Sequence, residues 1–225
     1  MTKLRTLSDL NDAMAADFAW RKKELHSIKS AVFDNEKTAK RDTYIRAAMA
    51  MLYAHWEGFI RNAGTMYLNF VAHQRLRNNE LSRAMLALSA GRVIEEAVAG
   101  GKSAARMRVV DFFAGQMADR CKINHQRSIN TRSNLSSTVL REIVETMGLD
   151  YRSFESREKL IDEKLLKNRN HIAHGHYLTV TVTEYEQIHS TIFSMMQEFS
   201  DQVYVAASSG AFKAAPMAEF PATTL

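Results

Sequence analysis

The stretch KNRNHIAHGHY, residues 167–177, carries three of the chain's eight histidines within six residues, with Arg169 five positions before His174 and a glycine directly after it. Three chemistries fit such a cluster. His171, His174 and His176 could ligate a metal. Arg169 and His174 could act together on a phosphate. The side chains could also do no more than solvate a helix end. Zinc is the weakest of the three, because such ligands need orienting carboxylates. No Asp or Glu lies within the stretch, and HExxH is absent from the chain. No metal and no cofactor is therefore expected.

On a helix, Leu165, Arg169 and Ile172 fall within about 60° of one another at about 100° per residue. Arg169 then sits at the edge of an apolar stripe, where a charge is costly unless something pairs with it. Asn170 and His174 share a different face one turn apart. A long arginine from one side and a histidine at the frayed end can converge on one anion. The plainer account is that Arg169 snorkels to water and His174 complements the negative end of the helix dipole.

Composition narrows the setting. The chain has 225 residues, 46% hydrophobic and 24% charged, enough for a sizeable core in a single domain over 1–207. Both prolines, Pro216 and Pro221, lie in the last ten residues, so long helices are expected. Residues 208–225 read as a flexible tail. Cys121 is the lone cysteine, which excludes an intrachain disulfide and points to a reducing compartment, the cytoplasm. No apolar run suggests a signal peptide or a membrane span. The net charge is +5, and Lys102, Arg106, Arg108, Arg120, Lys122, Arg127 and Arg132 against Asp111 and Asp119 account for all of it. Such a segment suits an RNA backbone; as readily it is a solvated basic face.

The elements that must hold the cluster read as all-α. The spacing predicts helices over 8–33, 38–74, 80–89, 103–119, 137–147, 156–174 and 183–206. The second is the longest, with Ile45, Met49, Leu52, Trp56, Phe59, Ala63, Tyr67 and Phe70 on one stripe, as in the centre of a bundle. Gly58 and Gly64 inside it imply close approach of another helix, with a partner chain as one source. Met107, Val110, Phe112, Phe113 and Met117 are candidate core. Residues 91–101 and 122–137 read as connecting stretches, and YLTVTVT as a connector. Gly148 ends one helix, and Gly175 stands ready as the C′ glycine of the next.

These residues carry a resemblance. RNHIAH, Arg169 to His174, matches the R-x4-H pattern of the HEPN superfamily, with a polar residue after the arginine. The trailing glycine, the helix that follows, MLYAHWEGFIR (51–61) and SNLSSTVLREIVETMGLD (133–150) extend the likeness over roughly 38–206. The group it resembles is the prokaryotic HEPN proteins of restriction, toxin–antitoxin and mobile-element defence systems. The resemblance implies a bundle of four to five core helices, here with extra helices between the second core helix and the motif helix. It implies a homodimer whose two motifs form one composite site. Active members are ribonucleases that need no metal: the ribose 2′-OH attacks the adjacent phosphate and leaves a 2′,3′-cyclic phosphate. In that scheme Arg169 clamps the phosphate, His174 moves the proton and Asn170 supports them. Glu57, His171 and His176 are candidate supports. Glu57 could reach Arg169, although a pair with Arg61 one turn on is the plainer expectation. Expected partners are RNA, a second copy and an antitoxin or defence-system protein. In toxins paired with a nucleotidyltransferase antitoxin, a tyrosine two residues after the histidine is modified. Here that position is His176 and the tyrosine is Tyr177, which argues against that route of neutralisation. The rival reading is a non-catalytic HEPN module for dimerisation or for RNA or nucleotide binding.

Overall fold

The computed structural model describes residues 2–100 and 103–215. Lys102 and residues 216–225 of the expected tail lie outside the described residues. Among the described residues there is no strand, and the helices form an all-α bundle.

Helix α1 (Leu7–Asp34) starts where its sequence dictates. The Thr6 hydroxyl accepts from the Asp9 N–H at 3.1 Å, and the Asp9 carboxylate accepts from the Thr6 N–H at 2.9 Å. This reciprocal cap satisfies two otherwise orphaned donors. Helix α2 (Arg41–His73) runs through the centre. Its whole predicted stripe is buried, and Tyr53, Ile60 and Leu68 are buried as well. The added positions follow from neighbours on several sides: α1, α8 (Val182–Ser209) and the motif helix all pack on α2. Each such large side chain contributes about 1.5–3 kcal/mol when fully buried, so α2 is the fixed reference for everything around it.

Between α2 and the motif helix lie α3 (Arg83–Gly100), α4 (Ser103–Gly115) and α5 (Ser137–Thr146). A 3₁₀ turn, Asn78–Glu80, precedes α3. The expected short helix over 80–89 is thus a longer α3, which runs through Gly91. A helical glycine costs only about 1 kcal/mol relative to Ala, too little to stop a helix with favourable neighbours. The expected core of α4 is corrected too. Phe112 is buried, but Met107 and Val110 are each 59% exposed and Phe113 is 44% exposed. Helix α4 packs on α3 as an outer layer, so it has one face to bury. The connecting stretch 122–137 is anchored by buried Ile123, Ile129 and Leu135.

The two unusual glycines of α2 face this chain's own side chains. A Cβ at Gly58 would stand 2.8 Å from Nη1 of Arg21, and one at Gly64 would stand 3.1 Å from the Met147 sulfur and 3.2 Å from Ile129. Neither notch is made for a helix of a partner. The chain also stays packed past Ser208. Helix α8 ends at Ser209, Gly210 turns the backbone with φ 72°, and Phe212 is buried edge-on against Phe70 at 5.8 Å. The Ser82 N–H donates to the Phe212 carbonyl at 2.9 Å.

Candidate functional site

The motif helix is one continuous run over 158–173, following the short turn α6 (Arg152–Glu155). Its middle, Leu160–Leu166, is π-wound, and the Lys167 N–H reaches back to the Asp162 carbonyl. Such wide turns are rare and occur often at functional sites. Ile161 and Leu165 pin it into the core. The Asp162 carboxylate accepts from the Ser137 N–H at 2.8 Å and the Ser137 hydroxyl at 2.6 Å, which ties the start of α5 to the π-turn. Helix α7 (Lys167–Ala173) then carries Arg169 and Asn170.

Helix α7 closes as its sequence predicts. Gly175 adopts φ 74°, its N–H bonds to the Ile172 carbonyl at 3.1 Å, and the His176 N–H bonds to the His171 carbonyl at 2.9 Å. This is a Schellman closure with glycine at C′. The reversal gathers the three histidines: the His171 and His176 rings are 5.8 Å apart, and those of His174 and His176 6.4 Å. His174 is exposed; His171 is half-buried. His171 also lines a groove of about 500 Å³ with Lys164, Lys167, Asn168 and Glu184. Among the described residues, no set of three or more His, Cys, Asp or Glu is gathered closely enough to hold a metal ion.

Arg169 is a quarter exposed, and its guanidinium lies 4.2 Å over the Tyr53 ring. Nη1 donates to Asn170 Oδ1 at 2.7 Å and to Asn134 Oδ1 at 3.1 Å. Nη2 donates to the Ser133 carbonyl at 3.0 Å and stands 3.7 Å from the Glu57 carboxylate. Glu57 therefore faces Arg169 and not Arg61, and its other oxygen accepts from the Thr131 hydroxyl at 2.6 Å. The Tyr53 hydroxyl accepts from the Leu135 N–H at 2.6 Å, and burial pushes its pKa up to about 12, so it stays neutral. Tyr53 and Glu57 are one turn apart on α2 and so share a face.

Several expectations are refined. Asn170, expected to support His174 or the phosphate, accepts a hydrogen bond from Arg169. No hydrogen bond or ion pair joins Arg169 to His174 among the described residues. All six described cations of the basic stretch are exposed, but they are spread over different elements. Arg106 and Arg108 lie on the outer helix α4, and Arg108 stands 3.6 Å from Glu96. Only Arg132 belongs to the loop that touches Arg169, and it pairs with Glu142 at 2.8 Å. The pattern of residues singled out neither Tyr53, Thr131 nor Asn134. The spacing of Tyr53 to Glu57 was a usable signal; the loop contacts had none. Tyr177, largely exposed, hydrogen-bonds Asp42 at the start of α2 at 3.2 Å. No helix among the described residues is long and apolar enough to cross a membrane.

No curated protein and no solved structure matches the chain. A family model described as HEPN_MAE_28990-like HEPN matches residues 10–212, which takes in α1, the central helix, the motif helix and α8 alike. On that match, which spans nearly the whole chain, the protein belongs to the HEPN family.

Proposed function

We propose that this HEPN protein is a metal-independent endoribonuclease of toxin or defence type, with a composite site formed by two copies of the chain. The observation that carries the reading is the state of Arg169: a guanidinium at the surface of the bundle, held mainly by neutral oxygens, its nearest carboxylate 3.7 Å away. Glu57 offsets this charge across 3.7 Å without taking a hydrogen bond, so an anion has only neutral acceptors to displace from the N–H groups. A fixed guanidinium that meets a phosphate oxygen offsets the charge that builds up as the phosphorus becomes five-coordinate.

The chemistry follows from the histidines. One His174 takes the proton from the 2′-OH, O2′ bonds to phosphorus, and the P–O5′ bond breaks. The second copy's equivalent histidine gives the leaving O5′ its proton. Each such proton transfer is worth ~10²–10⁴-fold. Since His174 is exposed and not bonded to Arg169, a two-fold arrangement would supply the second histidine that a single chain lacks. The groove beside His171, with Lys164 and Lys167 on its rim, offers a course for the flanking strand.

The test is cleavage of total and transfer RNA in EDTA by the wild type, Arg169→Ala and His174→Ala, compared at matched unfolding midpoints. The expected result is fragments with 2′,3′-cyclic phosphate ends from the wild type and a loss of at least about 100-fold in each variant. Equal cleavage by all three removes the assignment of these residues. One observation favours a second reading, a binding module without catalysis: three of the guanidinium's hydrogen bonds already go to the chain's own oxygens. RNA retained on the protein without cleavage would select it.

A further inference from the structure

A guanidinium has five N–H donors. On Arg169, Nη1 and Nη2 each meet an oxygen from consecutive residues of one loop, Asn134 Oδ1 at 3.1 Å and the Ser133 carbonyl at 3.0 Å. One oxygen on each terminal nitrogen is the fork by which arginine takes a phosphate. The loop therefore sits where two phosphate oxygens would sit.

The backbone that delivers these acceptors is strained. Arg132 has φ 53° and Ser133 φ 59°, two successive non-glycine residues in the left-handed region. Side chains with a Cβ rarely adopt it, and such residues persist only where their surroundings hold them. Within the loop, Arg132 pairs with exposed Glu142 at 2.8 Å and the Asn134 N–H donates to the Thr131 carbonyl at 3.0 Å; the buried contacts lie at the two ends. Thr131 and Leu135 are buried and fixed to α2, Thr131 through Glu57 at 2.6 Å and Leu135 through the Tyr53 hydroxyl at 2.6 Å. Arg132, Ser133 and Asn134 between them are exposed. The middle of the loop can thus leave Arg169 while the side chains of Glu57 and Tyr53 still hold Thr131 and Leu135; leaving gives up the turn bond from Asn134 to Thr131 and relieves the left-handed turn. Glu57 and the Tyr53 ring would still hold the arginine side chain.

We propose that residues 132–134 are a removable cap on Arg169, whose two neutral oxygens occupy the guanidinium until a phosphodiester displaces them. The bonds to the neutral cap oxygens are charge-assisted on the donor side only; a phosphodiester adds the Coulombic attraction of a full negative charge, so the exchange runs toward the phosphate. The cap keeps the site quiet when no RNA is present. The identity of the displacing ligand rests on the ribonuclease reading; the cap itself does not.

The test uses the full chain with Asn134→Ala and Asn134→Asp at matched unfolding midpoints. The rate at which phenylglyoxal modifies Arg169 is followed by peptide mass spectrometry, beside RNA cleavage. Asn134→Ala removes one cap oxygen, so modification and kcat/KM should both rise roughly tenfold, the lower end of the ratio a hydrogen bond to a charged group is worth. Asn134→Asp puts a charge on the cap and should lower both. Opposite shifts at one position do not arise from misfolding. Unchanged modification rates overturn the cap whether or not RNA is cut. Slower cleavage by Asn134→Ala than by wild type also overturns it, since a permanent brace behaves that way. If modification shifts as stated while no protein cuts RNA, the cap stands and the ribonuclease reading falls.

Discussion

Two arginines dock on α2 from roughly opposite faces, given about 100° per residue, and they are held in opposite ways. Arg21 is 4% exposed. Its Nε and Nη2 meet both oxygens of Asp17 at 2.8 and 3.2 Å, and Nη1 donates to the His55 carbonyl at 3.3 Å. Asn62 donates to the same Asp17 at 3.0 Å, and Gly58 leaves the room the guanidinium fills. Arg169 has its carboxylate at 3.7 Å and neutral oxygens nearer. Arg21 is a buried charge hydrogen-bonded to its carboxylate; Arg169 meets its carboxylate across 3.7 Å and hydrogen-bonds only to neutral oxygens. Burial and hydrogen bonding alone would not separate a structural arginine from a ligand-binding one. On the function proposed above, the distance and nature of the acceptors do.

The largest effect that should break or uphold this contrast is on stability. Arg21→Ala leaves the Asp17 carboxylate, its side chain 10% exposed, without its charged partner and should cost about 3 kcal/mol. Arg169→Ala should stay within about 1 kcal/mol. Urea unfolding of the two variants measures both, and equal losses would remove the distinction.

Next comes Gly58→Ala. The new Cβ would stand 2.8 Å from Arg21 Nη1, and that side chain is pinned by Asp17. Overpacking of this kind costs about 1–3 kcal/mol. In an Arg21→Ala background the penalty should vanish, so a double-mutant cycle should give a large coupling. Additive losses would mean that the notch serves something else.

The smallest effect is a pH slope. Burial, and then the Arg21 charge, hold the His55 pKa below its ordinary value, against a smaller opposing pull from Glu24 at 2.9 Å. Burial pushes His189 down to about 4. The unfolded chain titrates these histidines near 6.5, so below that pH it binds more protons than the folded chain. Stability should therefore be greatest above about pH 6.5 and fall with acidification. His55→Gln should flatten the fall measured by unfolding midpoints between pH 7 and 5, while Arg169→Ala leaves the slope unchanged.

Much of this was legible in the residues themselves. The stripe from Ile45 to Phe70 marked α2 because three- and four-residue spacing leaves little else for eight large side chains to do. Gly175 marked the end of α7 because its φ of 74° is one that glycine adopts at no steric cost. Helix α4 was misread because Met107, Val110 and Phe113 have the types of core residues, and only the neighbours decide that Phe112 faces in. The surroundings of Arg169 were half legible. Glu57 is fixed by helical geometry, but Ser133 and Asn134 arrive through a left-handed turn at two residues with no glycine to announce it. Arg21 went unnoticed for a related reason: a lone arginine on an amphipathic helix looks like surface until Asp17 and Gly58 are seen beside it.

The π-wound turn at Leu160–Leu166 bears on how rigidly the motif is tied to the rest of the chain. A wide turn of this kind is a helix storing one spare residue as slack. Taking out a residue there would tighten the turn toward ordinary winding while the flanks keep their bearings, with Asp162 on Ser137 on one side and Arg169 under the loop on the other. The count of residues between α5 and Arg169 is therefore a soft quantity, open to drift by one. The count from Arg169 to His174 runs through tight winding with no such slack, and it is the hard one.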